Sequence, residues 1–90
     1  MKTIWKTPLT IVDVQHVSLP KFAHPIHAGL DPSSAPCVWW TVDTEEQYEQ
    51  RAVYIVGTGN PTPEPSIPYV GTFVLGAFVW HVFIPAGLSP

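Results

Sequence analysis

A single cysteine, Cys37, stands in a chain of 90 residues. It excludes an intrachain disulfide and a zinc site built from several cysteines. Basic residues are few as well: Lys and Arg total 4 against 7 Asp and Glu, for a net charge of −3 with neutral histidine. A duplex-binding protein neutralises about six to ten phosphates, so this chain is not expected to bind nucleic acid. Charged residues of both signs make up 12% of the chain, roughly half the usual share. Long apolar runs are missing too. The longest, Phe73 to Ile84, is interrupted by His81 and falls short of the roughly 18 residues that a spanning helix needs. Polar residues and Pro8 break up the stretch after Lys2, unlike a secretory leader. We expect a cytoplasmic protein with no membrane segment, and the lone cysteine agrees with a reducing compartment.

Helix is scarce for a physical reason. The 11 prolines leave few stretches long enough for three turns. The longest proline-free span is Cys37 to Asn60, and within it only Thr44 to Gln50 holds helix formers, enough for about two turns at most. What the chain has in quantity is β-branched and aromatic residues in short runs. Thr3 to Leu9 and Ile11 to Leu19 are separated by almost nothing, which suggests a tight hairpin or one bent strand. Phe22 to Leu30 is a weaker strand whose Pro25 suits an edge or a bulge. Cys37 to Asp43 places Val38, Trp40 and Val42 on one face and Cys37, Trp39 and Thr41 on the other. Arg51 to Gly57, Tyr69 to Val74 and Ala77 to Ile84 follow, the last two joined around Leu75-Gly76. Asp31 to Pro36 and Thr58 to Pro68 read as loops. The expectation is one all-β domain over residues 1–90: an antiparallel meander of six to seven strands, closed as a barrel or folded as a sandwich.

The last strand is apolar on both sides. Phe78, Trp80, Val82 and Ile84 point one way, and Val79, His81 and Phe83 point the other. Each large side chain gains about 1.5–3 kcal/mol on burial, so a bare face forfeits several such contributions. A central strand is one solution. A subunit interface through Trp80 and Phe83 is the other, and we expect a homo-oligomer.

Chemically suggestive residues are weighed against ordinary roles. His24 and His27 form H-x-x-H and converge on a metal only if Pro25-Ile26 turns; hydrogen-bonded or surface histidine is the commoner reading, and no metal is expected. Cys37 has no local base or helix terminus to lower its pKa, so it reads as a buried small residue. Gly57-Thr58-Gly59-Asn60 lacks the third glycine or Gly-Lys-Ser/Thr and the helix of a nucleotide loop. Its ordinary reading is a turn, with the Thr58, Gly59 and Asn60 amides as a candidate anion site. Asp43, Glu45, Glu46 and Glu49 form an acidic run, either a solvated loop or a contact for a basic partner. Four Trp and three Tyr exceed what one small core can hide. Trp5, Trp39 and Tyr48, with Glu45 and Glu46, are therefore the candidate partner-binding residues.

The segments MKTIWK (1–6), VWWTVD (38–43), IVGTGNPTP (55–63), YVGTF (69–73) and VWHVF (79–83) occur in an order that resembles a family of short proteins. These are encoded in tailed bacteriophages, prophages and bacterial genomes. The resemblance covers nearly the whole chain, weakest over Phe22 to Pro36, and implies origin more than activity. Given that origin, small size, excess aromatic surface and no catalytic constellation fit first an accessory protein that binds and blocks or modulates a host protein, such as a defence factor, in the host cytoplasm. An oligomeric binder that sequesters a nucleotide-like signal at Gly57 to Asn60 is the second reading. A minor virion component is the third. No acid/base pair or nucleophile–base arrangement stands out, so neither an enzyme nor a cofactor is expected.

Overall fold

The computed structural model describes residues 1–87; residues 88–90, part of the expected domain, lie outside them. Seven antiparallel strands form: β1 (Lys2–Pro8), β2 (Val14–Pro20), β3 (His24–Leu30), β4 (Pro36–Asp43), β5 (Tyr48–Gly57), β6 (Tyr69–Leu75) and β7 (Phe78–Phe83). They make a three-stranded sheet, β1-β4-β3, and a four-stranded sheet, β2-β5-β7-β6. The sheets stack as a sandwich, and the thinnest dimension of the Cα trace is 16 Å. Two layers about 10 Å apart account for that.

Strand alternation sets the core. Val38, Trp40 and Val42 of β4 face Val53 and Ile55 of β5, Leu19 of β2, Phe73 of β6 and Val82 of β7, and all are buried. The Trp40 indole N–H, which needs a partner in so dry a place, donates to Thr7 Oγ1 at 2.8 Å. Pro25 sits where a missing donor is tolerated: β3 is an edge strand, and a bulge lies between Pro25 and His27. The β6–β7 hairpin turns at Gly76-Ala77, with Gly76 at φ 62, a conformation glycine adopts without steric cost.

Two expectations are corrected. The neighbours β1 and β2 form neither a hairpin nor one bent strand. β1 pairs with β4, β2 pairs with β5, and the chain crosses between the sheets over Leu9 to Asp13. The Gln15 side chain clips this crossing, donating to Thr10 O at 2.7 Å and accepting from Thr10 N–H at 3.1 Å. Second, the order is not that of a plain meander. Only β3–β4 and β6–β7 are sequential neighbours, because β5 inserts between β2 and β7. Thr44 to Gln50, the one stretch with helix formers, forms no helix, in keeping with the all-β expectation. Asp43 accepts the Glu46 N–H on its carbonyl and the Glu45 N–H on its side chain, a tight turn that leads into β5.

The sandwich is pinched along one side. β3 and β6 lie so close that a Cβ on Gly71 would stand within 2.3 Å of the Ala28 carbonyl oxygen. The β1/β2 side is the more open one, and half-buried Trp5 packs against the core there.

Candidate functional site

Apart from Trp39, the sequence-derived candidates fall on three surfaces. The first is the corner where β1 meets the β4–β5 turn. Trp5, paired with Trp40 in register, projects toward the interior. Its ring meets Tyr48 with centroids 6.2 Å apart and planes at 46°. Tyr48 is 57% exposed. Glu45 is exposed and Glu46 half-buried in the turn that precedes it. Asp43 is occupied locally: the Glu45 amide holds its carboxyl below the usual range, and the Met1 amine adds to this. An exposed aromatic ring thus stands just after the turn that carries Glu45 and Glu46, and Glu45 Oε1 lies 3.5 Å from the Met1 amine. Trp39 does not join it. It lies on the outer face of the three-stranded sheet, stacked on His27 with centroids 5.6 Å apart. The bulge brings His24 and His27 to that same face, paired with Thr41 and Trp39, where a flat strand would put them on opposite faces. Among the described residues no cluster of three or more His, Cys, Asp or Glu is placed to hold a metal.

The second surface is the turn Gly57–Asn60. Two of its three amides are committed: Thr58 N–H donates to Val79 O and Asn60 N–H to Gly57 O, each at 3.1 Å. That leaves Gly59 N–H, so the turn takes its ordinary form and the three amides weighed as a candidate anion site are not all free. The turn borders a cleft of about 550 Å³ lined by Ile11, Asp13, Tyr54, Pro61, Pro63 and Trp80, among others. No Lys or Arg lines it, and Asp13 adds a carboxylate. The lining chemistry suits a neutral or cationic group better than a phosphate.

The third is the outer face of the four-stranded sheet. Trp80 pairs with Gly57 and Phe73 and points inward, so of the two residues expected at an interface only Phe83 lies outward. In register, Val14, Tyr54, Phe83 and Tyr69 form one row across all four strands. The next row holds Val56, His81 and Thr72. His81 Nε2 is 2.8 Å from Thr58 Oγ1, His81 Nδ1 is 2.9 Å from Thr72 Oγ1, and Thr72 Oγ1 is 2.6 Å from Tyr69 Oη. With the proton on Nε2 every link is filled. Tyr69 donates to Thr72, Thr72 donates to His81, His81 donates to Thr58, and Thr58 reaches the Val79 carbonyl at 3.5 Å. Sequence reasoning missed this network because its members come from three elements. The available signal was period-two placement of Thr72 and His81 opposite apolar inward neighbours.

Two buried groups complete the description. Burial pushes the Cys37 thiol up, as expected for a small interior residue and opposite to an activated nucleophile. Arg51, only 7% exposed, was not foreseen as interior. It holds the β2–β3 turn and the C-terminal segment, donating to Ala23 O at 2.6 Å and Pro85 O at 3.3 Å.

These features define a two-sheet antiparallel sandwich of seven strands, without a helix among the described residues. A family profile described as a domain of unknown function (DUF7352) matches residues 1–88, and the chain belongs to that family. No curated protein and no solved structure matches it.

Proposed function

We propose that this is a non-catalytic accessory protein of bacteriophage type that binds a host protein and blocks or redirects it in the host cytoplasm. The observation that carries the reading is the corner: exposed Tyr48 against Trp5, directly after the turn that holds Glu45 and Glu46. Aromatic anchors backed by packed neighbours are the usual energetic centres of protein interfaces. Two carboxylates at the rim favour a basic patch on the partner and raise the association rate more than the final affinity. The motif order along the chain supports the phage origin. The half-committed Gly57–Asn60 turn and the cation-free cleft weigh against a nucleotide ligand.

The test is retention of a stoichiometric partner from bacterial host lysate on immobilised protein. Wild type should retain it. Tyr48→Ala combined with Glu45→Lys and Glu46→Lys should lose it while keeping the wild-type circular dichroism spectrum. Equal retention by the triple variant contradicts the assignment of this corner.

A further inference from the structure

We propose that the outer face of the four-stranded sheet docks a second copy of this chain, face to face, on a surface separate from the Tyr48 corner. Four observations carry this. The row Val14–Tyr54–Phe83–Tyr69 crosses every strand of the sheet, so the apolar surface is continuous from edge to edge. Val14, Tyr69 and Val74 are 44%, 58% and 60% exposed, which is unusual for apolar and aromatic side chains grouped on one flat face.

The second observation is charge. By strand alternation, no Asp, Glu, Lys or Arg lies on this face between Val14 and Ser18, Gln50 and Val56, Tyr69 and Val74, or Val79 and Phe83, Arg51 being turned inward. The outer face of the other sheet carries Lys2 and Lys6. In a two-fold contact the same patch meets itself, so a charged patch repels its own copy and a neutral one does not.

The third is polar satisfaction. The groups at the middle of the face already bond one another through Thr58, His81, Thr72 and Tyr69. An apolar partner can cover these four without leaving an unpaired donor, and His16, Ser18 and Gln50, at the β2/β5 end of the face, fall to its wet rim.

The fourth is area. Four strands about 4.8 Å apart and roughly six residues long give a footprint of about 400 Å². Side-chain relief raises the accessible area toward the roughly 600 Å² per partner found at the small end of stable interfaces. A dimer of modest, concentration-dependent affinity follows.

Sedimentation equilibrium between about 1 and 200 μM tests this. Wild type should pass from the 9.9 kDa chain mass toward twice that value within the range. Val74→Glu, at a well-exposed site, and Phe83→Glu should each raise the dissociation constant at least tenfold. Ile4→Glu, on the other sheet, should not. Circular dichroism and thermal melts verify that the variants fold, and Val74→Glu keeps the test valid should Phe83→Glu unfold. A wild type that stays at the chain mass throughout overturns the proposal. So does a dimer insensitive to Val74→Glu, or one broken by Ile4→Glu. Retention of the lysate partner by Val74→Glu separates this interface from the Tyr48 corner.

Discussion

The Arg51 guanidinium lies over the Trp40 ring, its Cζ 5.2 Å from the ring centroid. A cation inside a sandwich this small is unusual, and its hydrogen bonds explain its place. It ties Ala23 and Pro85, from opposite ends of the sequence, to the centre of β5. Burial draws its pKa down, and the charge of Glu49 opposes that.

Arg51→Met should therefore cost stability out of proportion to the area lost. Two carbonyls lose a charged donor and Trp40 loses its cation, together about 2–4 kcal/mol. For a domain of this size that is a fall of about 10–20 °C in Tm. Arg51→Lys, with charge but no planar fork, should fall between. Thermal melts followed by circular dichroism read both.

Gly71→Ala should be equally damaging for a steric reason. Its Cβ would meet the backbone of Ala28 at 2.3 Å, and backbone cannot swing aside as a side-chain tip can. The β3 and β6 edges would have to separate, at about 2–4 kcal/mol. Gly59→Ala has open space around it and meets only its φ of 94, so urea midpoints should fall less there.

Asp31 couples acid stability to one loop. Lys6 Nζ at 2.8 Å holds its carboxyl well below the usual range, helped by the Ser33 hydroxyl and the Ala35 amide. The folded state thus favours the ionised form. Its contribution is full above the ordinary value of 3.8 and is lost as pH falls below it. Asp31→Asn should be less stable than wild type at pH 7, and the gap should close as melts are repeated down toward pH 2. A constant gap would contradict the linkage.

Nucleotides should not stabilise the protein. The Gly57–Asn60 turn spends the Thr58 and Asn60 amides on its own carbonyl partners, and its cleft holds no cation. Millimolar mono-, di- or cyclic nucleotides should shift Tm by less than about 1 °C. A rise of several degrees would move the account to a sequestered small molecule.

Much of the fold was legible because β-branched and aromatic residues come in short runs such as Cys37 to Asp43 and Arg51 to Gly57, and because prolines exclude helix. Pro25 even announced its bulge. Pairing was not legible. Nothing local tells β1 to choose β4 over its neighbour β2, since that choice depends on which faces the whole sandwich can bury. Trp5 illustrates the limit. Its strand alternates threonine with lysine and isoleucine, so neither side is clearly the inner one, and only the pairing with Trp40 turns it inward. Arg51 was hidden for the opposite reason: charge reads as surface until carbonyls from distant segments converge on it. Of the candidate site, Tyr48 and Trp5 meet, Glu45 and Glu46 lie in the turn just before Tyr48, and Trp39 and Trp80 lie elsewhere.

The most direct test of the account is site-specific photocrosslinking in host lysate, with a photoreactive phenylalanine analogue at position 48. The account predicts a discrete adduct with one other protein, absent when Glu45 and Glu46 are reversed to lysine. No adduct from position 48, or one unchanged by the reversal, would contradict it.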